Sequence, residues 1–406
     1  MRVAALLHTC IGEPRPQCHS SRHSCTRRPS SAGRNFPNIL AHATPEVPIP
    51  TPHTGVAVIG AGILGTRHAR VYDELTDARL VAVVDHDTAR AASVAEPRKA
   101  RAFGSTAEML AAVGPAGTGE VTAVSVATPD HAHLEPVAAC LRAGVDVFVE
   151  KPLAMALDEA KEMIALARVK SRVLMVNYSQ RWLAEHRRIE ALLTEGSLGT
   201  PAFVESHRWD AAWVPERMIG SWSDKTTPIH FMSSHDIDLI IHWLRDRVET
   251  VTAVAHYGAL DAERSLPGRV DGYIATLRFS GGTVASLHSS WILPDTFPLA
   301  ADSYLEVLGA SGAIFLGGST RELKLYTPGR SEKITFAGPA TATEVNGRIE
   351  GAFTDSVRDF LGAVRTRELD RAASAARTLH VVEVQDAIMR AAASGEVIRI
   401  GVSGTP

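Results

Sequence analysis

The sequence predicts an α/β fold in which a doubly wound parallel sheet, covered by helices on both faces, is followed by a second α/β region with antiparallel strands. Three observations predict it. Short β-branched runs alternate with helical stretches from Val56 to Val176. A glycine-rich turn, Gly60-Ala61-Gly62-Ile63-Leu64-Gly65, closes the first of those runs. Near Tyr273 the continuous apolar runs give way to strict alternation of apolar and polar residues. Continuous apolar strands belong to sheets buried on both faces, whereas alternation belongs to sheets with one face open.

The 406 residues are 45% hydrophobic and 21% charged with a formal net charge of -3. That balance is ordinary for a globular chain and offers no general attraction to nucleic acid or anionic lipid. No apolar run approaches the roughly eighteen residues of a membrane span; the longest, 56–64 and 239–244, fit core elements.

Residues 1–54 differ from the rest. They hold eight of the 22 prolines and six arginines, but no lysine and only two acidic residues, Glu13 and Glu46. Without apolar periodicity such a segment has no means of building a core. It is read first as an extension from a misassigned start, second as an organelle transit peptide. Export through Arg27-Arg28 comes third, because no apolar stretch follows them. Cys10, Cys18 and Cys25 lie here beside His8, His19 and His23, at spacings that match no compact zinc pattern, so no metal site is expected. Only Cys140 remains for the folded part, which excludes a disulfide framework there and points to a reducing, cytoplasmic setting.

Beyond Gly55 the elements follow in order. Residues 56–59 read as a strand, 64–75 as a helix and 80–84 as a strand, with a helix from Thr88. Strands 121–127 and 145–149 flank a helix at 132–143, and helix 157–169 leads to strand 173–176. Five of the six tryptophans lie between Trp209 and Trp291, after Trp182. The runs 273–279 and 283–288 form a hairpin turned at Gly281-Gly282. Helices at 353–364 and 372–393 and a strand at 397–400 end the chain. The expected division is an extension (1–54), a dinucleotide-binding domain (55–176) and a substrate-binding and oligomerisation domain (177–406) whose last helices pack back on the first.

Gly60 to Gly65 is a complete GxGxxG between strand and helix. Gly60 permits the tight turn, Gly62 lets backbone approach a pyrophosphate, and Gly65 lets helix and strand pack closely. Ile63 and Leu64 begin the helix whose positive end faces the phosphates. Asp85 ends the second strand twenty residues past Gly65, where a carboxylate binds both ribose hydroxyls and repels a 2′-phosphate. His86 and Asp87 follow, with no arginine, so NAD is expected rather than NADP.

Three further segments accompany this turn: Ala127-Thr128-Pro129-Asp130-His131-Ala132-His133, Glu150-Lys151-Pro152 and His235-Asp236-Ile237-Asp238-Leu239. In this order, with Arg67-His68-Ala69, they make residues 55–400 resemble the Gfo/Idh/MocA oxidoreductases. The resemblance implies a Rossmann domain and a second α/β domain with an open, largely antiparallel sheet that often joins dimers or tetramers. It implies hydride transfer to or from a sugar, cyclic polyol or related carbonyl compound. By the same match Lys151 is the acid/base lysine, His235 acts beside the reacting hydroxyl, and Asp238 is a family aspartate one turn on. Thr128, Pro129 and Glu150 line the nicotinamide end, with His133 beside them.

One departure stands out. The family often carries an aspartate four positions before the histidine, and here that position is Phe231. His230, Asp236 and Asp238 are the candidates to replace it. Arg181 and Trp182 are candidates to face the substrate, as are Trp209, Trp213 and Trp222.

Oxidising a secondary alcohol requires a base for the hydroxyl proton. A free lysine, with a pKa of about 10.4, is a poor one at neutral pH, and burial beside an oxidised nicotinamide lowers it. Ser233 is the expected N-cap of the helix carrying His235, with Asp236 as its N3 carboxylate. His235 then sits at the second helical position, where the helix dipole keeps the ring neutral. Two other functions remain open at this point: a glycoside hydrolase that retains NAD, and a dinucleotide-binding sensor without catalysis.

Overall fold

The computed structural model describes residues 53–318, 320–338, 340–368 and 375–401. The arginine-rich extension and its cysteines lie outside the described residues, as does the start of the helix expected from residue 372.

The first sheet contains β1 (Thr54–Ile59), β2 (Ala78–Val84), β3 (Arg101–Phe103), β4 (Ala123–Val126), β5 (Asp146–Glu150) and β6 (Leu174–Asn177). All pairs are parallel, in the order β3-β2-β1-β4-β5-β6. Its helices are α1 (Ile63–Glu74), α2 (Thr88–Ala95), α3 (Thr106–Val113), α4 (Leu134–Arg142) and α5 (Leu157–Val169). Every residue of β1, β4 and β5 is buried, which is why these strands read as continuous apolar runs. Strand order reverses between β1 and β4, the point at whose carboxyl ends doubly wound sheets bind their ligands. The sequence reading has no strand between Thr88 and Val121, whereas the structure places β3 and α3 there. β3 is a three-residue edge strand, Arg-Ala-Phe, largely exposed, too short and too polar to leave a period-two signal.

After α6 (Ala184–Thr194) the chain enters the second sheet through β7 (Pro201–Ala211). Then come α7 (Pro228–Phe231), α8 (Ser234–Leu244), β8 (Val248–Tyr257), α9 (Ala259–Arg264), β9 (Val270–Phe279) and β10 (Val284–Leu293). β11 (Ala301–Gly309), β12 (Gly312–Gly317), β13 (Glu322–Thr327) and β14 (Arg330–Thr335) complete one side. β15 (Thr343–Val345) pairs only with β16 (Arg348–Glu350), and α10 (Ala352–Thr366), α11 (Ala375–Ser394) and β17 (Ile398–Arg399) close the chain. The sheet order is β14-β13-β12-β11-β7-β10-β9-β8-β17, and only β7 and β10 run parallel. The hairpin at Gly281-Gly282 forms as expected, pairing Val284 with Arg278. Gly282 sits at φ +94, a conformation side chains disfavour.

One face of this sheet carries the core; the other is open. On the open face Val254, Ile274, His288, His207 and Tyr304 form one cross-strand row over β8, β9, β10, β7 and β11. α10 returns to the first sheet, where Phe360 stacks on Phe148 at 5.1 Å and Ser356 Oγ donates to Asn177 Oδ1 at 2.9 Å.

Candidate active site

The glycine turn is shaped for a dinucleotide. Gly60 has φ +96, and a Cβ there would stand 2.5 Å from the Ala127 carbonyl oxygen. A Cβ on Gly65 would lie 1.7 Å from the Gly60 oxygen, while Gly62 has open space around it. Gly62 is the N-cap of α1 and supplies no side-chain cap, so the first amides of the helix remain free for phosphate oxygens. Ile63 is 65% exposed, an apolar surface that a bound dinucleotide would cover. Leu64 is half-buried beside it.

Asp85 is buried at the end of β2 and accepts from the Ala61 amide at 2.8 Å and the Asp87 amide at 3.0 Å. Arg90 reaches it with two nitrogens, at 3.1 and 2.7 Å. Burial pushes this carboxyl up, but the hydrogen bonds from Arg90, Ala61 and Asp87 outweigh it and hold the group below its ordinary value. No arginine follows Asp85 directly, as read from the sequence, but Arg90 one helical turn further on reaches it. Asp87 caps α2 by accepting from the Arg90 amide at 3.0 Å, and that first turn folds the Arg90 side chain back. Arg90 weakens the repulsion that Asp85 alone would exert on a 2′-phosphate. The signal was present as a capping aspartate three residues before an arginine.

Glu150 and Lys151 diverge at the end of β5. Glu150 is buried, 2.9 Å from His68 Nε2 and 2.8 Å from the Asn177 amide nitrogen that donates to it. Its carboxyl lies below its ordinary value because these contacts outweigh burial. It ties α1, β5 and β6 together. His133 performs the same kind of work across the crevice: its ring nitrogens lie 2.8 Å from the Pro152 carbonyl and 3.1 Å from the Thr128 carbonyl. The loop before His133, carrying Thr128 and Pro129, is thereby fixed to the loop of Lys151, whose peptide to Pro152 is cis. Asp130 on that loop accepts from Thr226 Oγ1 at 2.8 Å, joining it to the segment before α7.

Lys151 is nearly buried, and its Nζ donates to the Phe231 carbonyl at 2.6 Å. The same nitrogen lies 4.3 Å from the centroid of the Phe231 ring, a cation–π contact. Phe231 thus holds the lysine from α7 with its backbone and its ring. His235 is half-buried with its Nδ1 enclosed, and desolvation first, then the charges of Lys151 and Arg208, pushes its imidazole well below the ordinary value. The expected neutral ring is present, but burial rather than the helix dipole is the main cause. Among the described residues His235 Nδ1, Tyr178 Oη and Ser234 Oγ are enclosed without hydrogen-bond partners, and the Tyr178 ring meets His235 edge-on at 6.2 Å.

Ser233 stands at the N-cap of α8, as expected, but does not cap it. Its backbone is already helical because α7 runs almost directly into α8, and its hydroxyl bonds Ser289 of β10 instead. Asp236 is likewise no capping carboxylate: it accepts Arg208 Nε at 2.8 Å and Nη2 at 2.7 Å. Asp238 is paired with Arg181, whose Nε donates at 2.7 Å. His230 is buried beside Thr227 Oγ1, 2.9 Å from Nδ1, and burial pushes its imidazole down to about 4. None of the three residues expected to replace the family aspartate hydrogen-bonds Lys151. Trp182 donates to Asp359 at 2.6 Å. Trp182, Arg181 and Asp238 line a cavity of about 1160 Å³ along the later part of α8, together with His242, Arg377 and His380. Lys151 and His235 are not part of its lining.

Residues 54–178 match the Gfo/Idh/MocA oxidoreductase family in its NAD-binding Rossmann fold, and residues 190–400 match the family's C-terminal alpha/beta domain. The chain belongs to this family of oxidoreductases. It is 30% identical over 202 residues to a 1,5-anhydro-D-fructose reductase of Ensifer adhaerens, covering 49% of this chain and 57% of that protein. The match therefore spans little more than half of that relative. An inositol 2-dehydrogenase/D-chiro-inositol 3-dehydrogenase of Lacticaseibacillus casei is 28% identical over 358 residues, 86% of this chain and 96% of its own. Among solved structures, an Agrobacterium radiobacter oxidoreductase in complex with NAD+, L-tartaric acid and magnesium superposes with a TM-score of 0.72 at 19% identity. That fit covers 86% of this chain and 98% of the other, a likeness of fold. The open, largely antiparallel second sheet expected from the resemblance is found, with one parallel pair, β7 and β10.

Proposed function

We propose that this family member transfers a hydride between NAD and a hydroxyl-bearing carbon of a sugar or cyclic polyol. The observation that carries the reading is Lys151 at the carboxyl edge of β5, its Nζ held 2.6 Å from the Phe231 carbonyl beside a half-buried His235 whose imidazole lies well below its ordinary value. The unpartnered Nδ1 of His235 and hydroxyls of Tyr178 and Ser234 support a ligand rich in hydroxyl groups, since buried polar atoms left unpaired are costly. The names of the inositol and anhydrofructose relatives support the same class.

The residues around Gly60, Gly62 and Gly65, with Asp85, fit NAD, which when bound supplies the hydride acceptor or donor. Ile63, Leu64, Thr128 and Pro129 would border it, with His133 and Glu150 fixing the loops. Lys151 takes the hydroxyl proton in oxidation and returns it in reduction; His235 accepts from or orients the same hydroxyl. Arg181, Trp182, His230 and Asp238 act behind this wall: each is held by another side chain, so we assign them the positioning of α7 and α8.

On this reading residues 55–176 bind dinucleotide and 177–406 bind substrate and build a cytoplasmic homodimer or homotetramer. The open sheet face supports the oligomer: Phe203, Val254, Ile274, Tyr304 and Leu308 are all exposed there. No helix among the described residues is long and apolar enough to cross a membrane. A panel of sugars and polyols with NAD and NADP, followed by nicotinamide absorbance, tests the activity. Reduction of NAD by at least one polyol is expected. Product formed with no change in absorbance would replace this reading with NAD-assisted hydrolysis.

A further inference from the structure

The cavity of about 1160 Å³ beside the later part of α8 is a feature that the hydride-transfer reading leaves unused. It has the size of a small-molecule site, which is about 300–1,000 Å³, but its wall is charged where such walls are mostly apolar. Five guanidiniums line it: Arg181 after β6, Arg187 of α6, Arg245 and Arg247 beyond the end of α8, and Arg377 of α11. Segments far apart in the chain thus bring their cations to one hollow. Neither Lys151 nor His235 belongs to its wall.

The carboxylates of the same wall are taken up by other donors. Asp238 accepts from Arg181 Nε at 2.7 Å, and Asp359 from Trp182 Nε1 at 2.6 Å. Asp246 accepts the amides of Arg247 and Gly281, both at 2.7 Å, and Glu190 lies 3.1 Å from His242 Nε2. Arg245 is left with Glu190 at 4.0 Å. Arg247 has Glu383 at 3.5 Å, a carboxylate that His380 also contacts. Arg187 and Arg377 make no side-chain hydrogen bond or ion pair with any described residue.

Two further observations set this hollow apart from a solvated basic surface. The Arg181 side chain is only 8% exposed, and its Nη1 is enclosed with no hydrogen-bond partner among the described residues. Buried donors are nearly always paired, so a spare N–H on the wall calls for an acceptor. Arg245 closes α8 at φ +51, a left-handed conformation that glycine takes freely and an arginine does not. That turn sets Arg245 and Arg247 on the same wall.

We propose that this cavity binds a small molecule carrying two or more phosphate or carboxylate groups, at a site separate from the hydride-transfer site. Guanidinium groups are weakly hydrated and meet the oxygens of phosphate and carboxylate in pairs. Four of them with spare donors, spread round a hollow of this volume, suit several anionic groups joined by a carbon skeleton. The site shares a helix with the catalytic wall: Asp238 follows His235 by one turn of α8, and Arg181 stands 6.0 Å from the Tyr178 ring that meets His235.

The test is calorimetric titration of the full chain with inorganic pyrophosphate and, separately, with citrate. NAD is kept saturating so that the glycine turn is filled, divalent cations are left out, and salt is held at about 0.15 M. One site with a Kd at or below about 1 mM is expected. Arg187→Gln combined with Arg377→Gln, both exposed, should weaken it by about tenfold or more. The same loss of charge at Arg278→Gln with Arg348→Gln, exposed on β9 and β16, should change it by less than about twofold. Tighter binding of pyrophosphate assigns a phosphate ligand and tighter binding of citrate a carboxylate one; either supports the site. No binding of either anion, or equal weakening in the two double variants, overturns the proposal. Melting curves accompany each variant. Should the Arg187 and Arg377 pair melt early, Arg245→Gln, whose side chain is 71% exposed, carries the same expectation of weakened binding, and unchanged affinity there overturns the proposal.

Discussion

The dinucleotide end and the proton-transfer end of the crevice are assembled in different ways. A single β-α-β unit from Thr54 to Asp85 supplies the glycine turn, the free helix amides and the acidic partner, and its buried side chains are tied to the rest of the sheet, as His68 to Glu150 and Tyr72 to Ser125. On the proposed reading, the proton-transfer wall draws Lys151 from the end of β5, Phe231 from α7 and His235 from α8. His235 Nδ1 and the neighbouring Tyr178 and Ser234 hydroxyls have no hydrogen-bond partner among the described residues. The comparison teaches that backbone shape fixes the binding of a common cofactor, whereas side chains from distant elements, kept partly unsatisfied, are aimed at a particular substrate. Stability and activity should therefore separate at the two ends.

The largest separation is expected from Lys151→Met, which keeps the apolar stem and removes the amine. Turnover should fall by about 10²–10⁴-fold while NAD affinity, measured by nicotinamide fluorescence, survives. Parallel loss of both would mean the two ends are not separable. Gly60→Ala should do the reverse at binding, because its Cβ meets the Ala127 carbonyl at 2.5 Å in a backbone conformation of φ +96.

The wall itself is sharpened by alanine at each histidine. His235→Ala should cost about tenfold more in kcat than His230→Ala, since His230 serves Thr227 and not the lysine. Equal small losses would remove the start of α8 from the mechanism. Phe231→Asp introduces an anion beside Lys151 and near His235. It should raise the pH at which His235 loses its proton, read by NMR of the imidazole, because a negative charge favours the protonated ring.

A smaller effect is expected at cofactor choice. Asp85→Ser should narrow the preference for NAD over NADP, and Arg90→Ala should widen it, by about tenfold at most; the ratio of the two KM values reports both. An unchanged ratio in both variants would place the discrimination elsewhere.

The smallest effect is on stability against pH. Burial holds His186 and His230 down at about 4 and His235 well below its ordinary value. The unfolded chain protonates these rings near 6.5 while the folded one does not, so stability is full above that pH and is lost as pH falls toward about 4. Asp210 works in the opposite sense, its carboxyl raised to about 7, so its contribution falls as pH rises from about 4 to 7. Melting curves should show a steep acid side that His230→Gln flattens, and Asp210→Asn should raise the melting temperature most clearly above neutrality.

Much of this molecule was legible in the sequence because its rules are local. GxGxxG, the continuous apolar strands of the first sheet, the Asp85 position and the hairpin at Gly281-Gly282 each follow from backbone geometry over a few residues. The motifs around Thr128, Lys151 and His235 placed the chain in its family. In the first domain β3 and α3 escaped, where a short exposed edge strand carries no periodicity, and in the second domain β7, β8 and β11 to β16 were not read from the sequence.

What tertiary structure alone decided is how charges find partners. Helix starts were locatable, but whether Ser233 caps α8 depended on Ser289 arriving from β10, and whether Asp236 was free depended on Arg208 arriving from β7. Arg90 turned back onto Asp85 through one helical turn, and Asp238 was taken by Arg181. Asp210 carried no motif, and its burial followed only from the packing of β7. Pairing energies are set by distance and burial rather than by sequence separation, and those two quantities exist only once the strands and helices have been brought together.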